Sequence, residues 1–252
     1  MMVVQDLIVS FDGFRVLDRT NLNVNERDLR FLIGPNGAGK TTLMDVMSGK
    51  VRPVSGKVLF NKTVDVTRCQ EDDLVRKGIG RKFQTPAVYG SLSCFENLEV
   101  ALGFRSNLFA LFGRLFRAQR ERINNALERV GLFARSGILA KELSHGERQW
   151  LEIAMLLVQD PKLLLLDEPV AGMTRRERER TGAMLHELKT DHTIIITEHD
   201  MEFVREFAEK VSVLHQGKVI KEGMVSEVQG DPLVVEVYLG RSLAPVGIEV
   251  SA

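Results

Sequence analysis

The stretch "GPNGAGKTT" at Gly34–Thr42 constrains this chain more than any other feature. It follows the apolar run "LRFLI" and precedes "TTLMDVMSG", whose spacing predicts a helix closed by Gly49. Gly34, Gly39, Lys40 and Thr41 fill the pattern G-x-x-x-x-G-K-[ST]. Between a strand and a helix, such a loop turns its backbone N–H groups inward around phosphate, and the helix N-terminus offers its dipole to the anion. Pro35, Asn36, Gly37 and Ala38 complete the cradle, and Thr42 continues the first helical turn. Lys40 is placed to reach β- and γ-phosphates, and the Thr41 hydroxyl to ligate Mg²⁺.

"KLLLLDEP" and "HTIIITEHD" are continuous apolar runs, which suit strands buried on both faces of a parallel sheet. Asp167 ends the first run, where its carboxylate can hold a magnesium shell. Glu168 follows directly, placed to orient and polarise an attacking water. A phosphate loop with this acid pair reads as a nucleoside triphosphatase.

The rest of the chain gives that core its surroundings. "LIVSF", "LNVNE" and "LRFLIG" read as short strands, and "GKVLFNKTVDV" as another strand pair. From Phe95 to about Val158, "ENLEVAL", "RINNALERVGL" and "ERQWLEIAMLLV" carry helical spacing. "MEFVREFAEKV" reads as a helix after the second apolar run, and "VSVLHQGKVIKEG" as a hairpin. One α/β body with an inserted helical lobe is the expectation. Acids and bases balance at 34 each, so the basic footprint of a nucleic-acid binder is absent. Cys69 and Cys94 match no metal-ligand spacing and read as free thiols of a reducing compartment. No apolar run approaches the ~18 residues that span a bilayer, and "MMVVQDLIVS" has no signal-peptide character. A cytoplasmic protein is expected, one that works at a membrane through a partner. "FRSNLFALFGRLFRAQRERI" mixes Phe104, Phe109, Phe112 and Phe116 with arginines, and reads either as lobe core with a basic edge or as a segment lying near headgroups.

"ELSHGERQWLEIAMLLVQDPKLLLLDEP" narrows the answer. Ser144 and Glu147 form a capping box, with Trp150, Leu151, Ala154, Met155 and Val158 as the apolar face behind it. Ser144 and Gly146 thereby present a second helix N-terminus to an anion. Here the chain resembles the ATP-binding cassette (ABC) ATPases. "LSHGE" resembles their signature motif, "GRKFQ" ending at Gln84 their Q-loop and "VAGMT" their D-loop. His199 in "ITEHD" matches their switch histidine, and Phe11 lies where the family stacks an aromatic ring on adenine, with Phe14 an equally placed rival. The motifs occur in family order over residues 3–240. His145 stands where the family has glycine and Glu147 where it has glutamine. The backbone donor at position 145 survives the change, since proline alone lacks one.

The resemblance implies a RecA-like P-loop NTPase core with a parallel sheet, an N-terminal antiparallel β subdomain and an inserted α-helical subdomain at about 87–158. The cassette would span 1–242, and 243–252 would be a flexible tail. It implies ATP and Mg²⁺ as cofactors, Glu168, His199 and Lys40 as catalytic residues, and Thr41, Gln84 and Asp167 as metal ligands. Phe11, the loop from Gly34 to Thr42, Gln84, Ser144, Gly146 and Glu147 would bind nucleotide, with His199 on the γ-phosphate. Two cassettes, alike or different, would meet head to tail, each ATP touching Lys40 of one and Ser144 of the other. Implied partners are integral membrane permease subunits, a second ATPase subunit and, indirectly, a periplasmic or extracellular solute-binding protein, at the cytoplasmic face of the cell membrane. Within the family, the branched-chain amino-acid and urea-type uptake ATPases are most similar, and "VEVYLGR" resembles the urea-type branch. An exporter cassette, such as that of lipopolysaccharide export, and a non-transport ABC ATPase are the alternatives. "LSHGE" and His199 speak against a small-molecule kinase.

Overall fold

A computed structural model describes residues 1–82, 88–103 and 116–239. Strands β1 (Met2–Phe11), β2 (Phe14–Val24), β4 (Ser55–Phe60) and β5 (Val64–Asp65) form an antiparallel sheet in the order β2-β1-β4-β5. A second, six-stranded sheet contains β3 (Leu29–Ile33), β6 (Ile79–Lys82), β7 (Leu163–Asp167), β8 (Thr193–Thr197), β9 (Lys210–His215) and β10 (Lys218–Met224), in the order β10-β9-β3-β8-β7-β6. Its pairings from β9 to β6 are parallel, and β10 closes the edge as an antiparallel hairpin with β9. The α/β expectation, with an antiparallel N-terminal sheet beside a parallel-rich one, is borne out.

The continuous apolar runs are explained by what covers the two faces. Alternate residues of a strand point to opposite sides. Phe31, Ile33, Leu164, Leu166, Ile194 and Ile196 join one core, and Leu32, Leu163, Leu165 and Ile195 join the other. The second core is shared with α1 (Lys40–Met47) through Leu43, Met44 and Met47, and with the antiparallel sheet through Leu7, Val9 and Phe60. The first is shared with α3 (Cys94–Gly103), α4 (Arg117–Arg129) and α5 (His145–Leu157), which follow one another in the chain between β6 and β7. Burial on both faces favours aliphatic side chains throughout β7 and β8, since each fully buried one is worth about 1.5–3 kcal/mol; in β3, Arg30 is the exception, paired with Glu222 and Ser212. Cys94 is buried and Cys69 half-buried, and both are free thiols.

Helix α5 behaves as its pattern dictates. Trp150, Leu151, Ala154 and Val158 are buried, and Met155 packs half-buried against the same core. The Trp150 indole N–H donates to Thr181 Oγ1 at 2.9 Å, and the Arg180 guanidinium lies 4.3 Å from its ring centroid. Both partners belong to α6 (Arg175–Leu188), a helix that the sequence reading does not contain, as it does not contain α2 (Glu71–Lys77) or β6. Short helices α7 (Met201–Phe207), α8 (Val225–Gln229) and α9 (Pro232–Leu239) complete the described chain. No helix of the described residues is long and apolar enough to cross a membrane. The 242/243 boundary, Gln84, Phe104, Phe109 and Phe112 lie outside the described residues, whereas Phe116 is exposed.

Candidate active site

The loop between β3 and α1 requires glycine at two points. Gly34 has φ +153°, and a Cβ there would lie 2.0 Å from the Leu214 carbonyl oxygen of β9. Gly39, the N-cap of α1, has φ +104°, and a Cβ would meet Leu17 Cδ2 at 2.7 Å. Larger residues are excluded by the neighbouring strands as well as by backbone conformation. Asn36, Gly37 and Thr41 are exposed along the loop's rim, with Pro35 and Thr42 half-buried and Ala38 buried.

Lys40 is buried at the first turn of α1. Its ammonium donates to the Gly34 carbonyl at 2.7 Å and the Pro35 carbonyl at 3.2 Å, curling back across the cradle. Burial lowers its pKa, and the nearby charges of Glu168 and Asp167 oppose that shift. The structure therefore brings the phosphate-loop lysine and the acid pair into one electrostatic site.

The parallel register of β7 and β8 sets Asp167 opposite Thr197. The Thr197 hydroxyl donates to the Asp167 carboxylate, whose other oxygen lies 3.9 Å from Arg81 on β6. Arg81 also pairs with Asp45 of α1 at 2.7 Å and donates to Ser48 Oγ at 2.7 Å. Asp167 is 5% exposed, and these neighbours hold its carboxylate in place. Beyond it the chain turns sharply. Glu168 adopts a left-handed φ of 46°, and its N–H donates to the Thr197 carbonyl at 3.1 Å. This turn brings the Glu168 carboxylate within 3.3 Å of His199 Nδ1. Two of the expected catalytic side chains thus touch each other, and the third lies in their field.

The next four positions after β8 begins to end each hold a different part of the site. Thr197 holds Asp167, Glu198 accepts the Val170 N–H at 3.3 Å, His199 faces Glu168, and Asp200 caps α7 by accepting the N–H groups of Glu202 and Phe203. Of these four the sequence reading contains His199. Thr197, Glu198 and Arg81 are missed, although the polar close of the apolar run "HTIIITEHD" is a signal for the first two.

The capping box forms as its spacing predicts. Ser144 Oγ accepts the Glu147 N–H at 3.2 Å, and Glu147 Oε2 accepts the Ser144 N–H at 2.9 Å. Gly146 is buried in the first turn of α5. Ser144 Oγ also lies 3.3 Å from Glu177 Oε1 of α6, and Glu147 pairs with Arg135. His145 places Nε2 3.1 Å from the Ala171 carbonyl, so the imidazole joins this helix end to the turn after Glu168. Among the described residues these side chains make no bond to the phosphate loop of their own chain. Ser144→Ala removes the cap acceptor, and we expect a loss of about 1 kcal/mol, seen as a melting point lower by about 2–4 °C. An unchanged melting curve would show that the cap bond carries no stability.

Phe11 and Phe14 face each other across the β1–β2 hairpin tip, 46% and 73% exposed. Neither belongs to the core, and both are available to a flat ring.

The ABC transporter family profile matches residues 17–171. The high-affinity branched-chain amino acid transport ATP-binding protein LivG of Salmonella typhimurium is 32% identical over 252 residues, covering 96% of this chain and 98% of that protein. A probable branched-chain amino acid transport ATP-binding protein LivG of Archaeoglobus fulgidus is 35% identical over 243 residues, covering 94% of each. Among solved structures, a nucleotide-free ATP-binding cassette from an ABC transporter superposes with a TM-score of 0.83 at 31% identity, covering 94% of this chain and 98% of that one. A structure of the ADP conformation of an ATP-binding cassette of an ABC transporter gives 0.83 at 32%, covering 95% and 98%. Lys40, Asp167 and Glu168 converge within a cassette fold whose relatives bind and hydrolyse ATP, and the chain belongs to the ABC transporter family as an ATP-binding, ATP-hydrolysing subunit.

Proposed function

We propose that this chain powers an importer, taking up urea, a short amide or branched-chain amino acids, from the cytoplasmic face of the cell membrane. The observation that carries the importer reading is the near full-length similarity to the LivG proteins, which are named for branched-chain amino-acid transport. The urea-type assignment is supported by the resemblance of "LSHGERQWLEIAMLLVQDPKLLLLDEPVAGMT" and of "VEVYLGR" to the urea-type branch. The residues facing nucleotide do not read the solute, so specificity would belong to the permease and solute-binding partners.

In this reading Lys40 neutralises the phosphates, Glu168 orients the attacking water, and His199 contacts the γ-phosphate. The Asp167 carboxylate and the Thr41 hydroxyl are hard oxygen donors beside a phosphate cradle, a set that fits Mg²⁺. The metal, held by Thr41, Asp167 and Gln84, would neutralise charge developing on the phosphate oxygens. Ser144, Gly146 and Glu147 would serve the nucleotide of a second cassette, which accounts for their making no bond to their own phosphate loop. Phe11 would stack on adenine, with Phe14 beside it.

The test is uptake of labelled urea and labelled leucine by cells carrying Glu168→Gln at the native locus. Lost urea uptake with leucine uptake intact is the expected result. Lost leucine uptake with urea intact moves the system to the amino-acid branch. If neither changes, the importer reading falls.

A further inference from the structure

Glu198 is a buried carboxylate for which the ATPase reading so far has no use. It is 1% exposed, and among the described residues no lysine or arginine pairs with it. Its carboxylate accepts one backbone N–H from a distant turn and one from the next residue of its own segment. Oε1 takes the Val170 N–H at 3.3 Å, from the turn after Glu168, and Oε2 takes the His199 N–H at 3.3 Å. Burying an anion against backbone donors alone is costly, and a hydroxyl or amide would satisfy single donors without that cost. A carboxylate has two oxygens that accept at once, so one can brace the His199 backbone while the other reaches across to the Val170 turn.

We infer that Glu198 is a positioning residue for ATP hydrolysis, whose carboxylate clamps the turn carrying Glu168 to the segment carrying His199 and so presents the two side chains as one unit. Their 3.3 Å contact is the result of that clamp. Thr197 fixes Asp167 from one side of Glu198, and Asp200, braced by Arg178 of α6, fixes the start of α7 on the other. The clamp thus sits inside a run in which each neighbour is already anchored. This inference rests on the roles proposed for Glu168 and His199.

The clamp also has a pH dependence. Burial raises the Glu198 pKa from 4.5 to about 7, opposed by the N–H groups of Val170, His199 and Asp200 and by the charge of His199. The charge acting on it is that of His199, whose imidazole faces Glu168 of the neighbouring turn, and the next residue, Asp200, pairs with Arg178 of α6, which also lies 3.7 Å from Glu202 of α7. The ionised form is the one that accepts at both oxygens, so turnover is expected to rise with pH through about 7. Protonation converts one oxygen to a donor and loosens one grip.

The experiment measures steady-state ATP hydrolysis by the wild type, Glu198→Gln and Glu198→Ala across pH 6 to 8.5, with circular dichroism melting of each. Glu198→Gln keeps the volume and one acceptor but turns an NH₂ toward the other N–H. The expected result is a kcat lower by roughly tenfold or more, a KM for ATP within about twofold, and loss of the rise near pH 7 in Glu198→Gln. Wild-type kcat in Glu198→Gln overturns the inference. So does a rise near pH 7 that survives in that variant, or a KM that climbs in step with the loss in kcat. Failure of Glu198→Ala to fold leaves the decision with Glu198→Gln. A Glu168→Gln variant run in parallel separates the two levels. If it hydrolyses ATP at the wild-type rate, the base assignment fails whatever Glu198 does.

Discussion

Glu168→Gln is expected to bind ATP and to hydrolyse it roughly 10²- to 10⁴-fold more slowly than the wild type. The substitution is close to isosteric, so the left-handed turn at φ 46° is kept, along with the Glu168 N–H bond to the Thr197 carbonyl at 3.1 Å. What is lost is the carboxylate's ability to accept a proton from water. His199 Nδ1, at 3.3 Å from the carboxylate, can still meet the amide oxygen, so the histidine need not move. Binding is expected to survive because Lys40 makes its bonds within the phosphate loop and owes Glu168 a favourable field but no contact. The measurement is phosphate release at saturating ATP beside a separate ATP-binding titration. Hydrolysis near the wild-type rate would remove Glu168 as the base. Loss of binding would mean that its charge holds the loop, and the division of roles between lysine and acid would have to be redrawn.

How much of this was legible in the sequence depends on whether the signal is local. The phosphate loop is local, since three glycines with positive φ, a lysine and a helix start follow one another within a few residues. The doubly buried strands are local too, because "LLLL" and "III" leave no polar position for a wet face. Helix α6 is not readable in this way. Its first half, "RRERER", is charged all round, and what starts it is the Thr174–Glu177 capping box. Strand β6 hides for the opposite reason. "IGRK" carries two cations into the interior, made tolerable by the pairing of Arg81 with Asp45 at 2.7 Å and of Lys82 with Glu152 at 3.4 Å. Neither partner is near in sequence. The same holds for Thr197 and Glu198, whose use follows from a parallel register that sets Asp167 beside Thr197 across 30 residues of chain.

Lys40→Ala is expected to weaken ATP binding by about 2–4 kcal/mol, roughly 30- to 1,000-fold in Kd, because it removes a buried cation from a site that must receive several negative charges. The ammonium is held ready by the Gly34 and Pro35 carbonyls at 2.7 and 3.2 Å, and exchanging those for phosphate oxygens strengthens each bond. Asp167 and Glu168 stand in the same field and repel the incoming nucleotide once the lysine is gone. Two effects then act together, a lost attraction and an exposed repulsion. The fold is expected to persist, because α1 keeps Leu43, Met44 and Met47 in the core. Lys40→Arg is not expected to rescue, since its planar fork needs a different cradle from a point charge. Calorimetric titration with ATP at fixed magnesium checks this, with a melting curve to show that the variant is folded. Affinity within about threefold of the wild type, in a folded Lys40→Ala protein, would mean that the loop's backbone N–H groups and the α1 dipole alone carry phosphate binding, with the lysine left to act on charge that develops during hydrolysis.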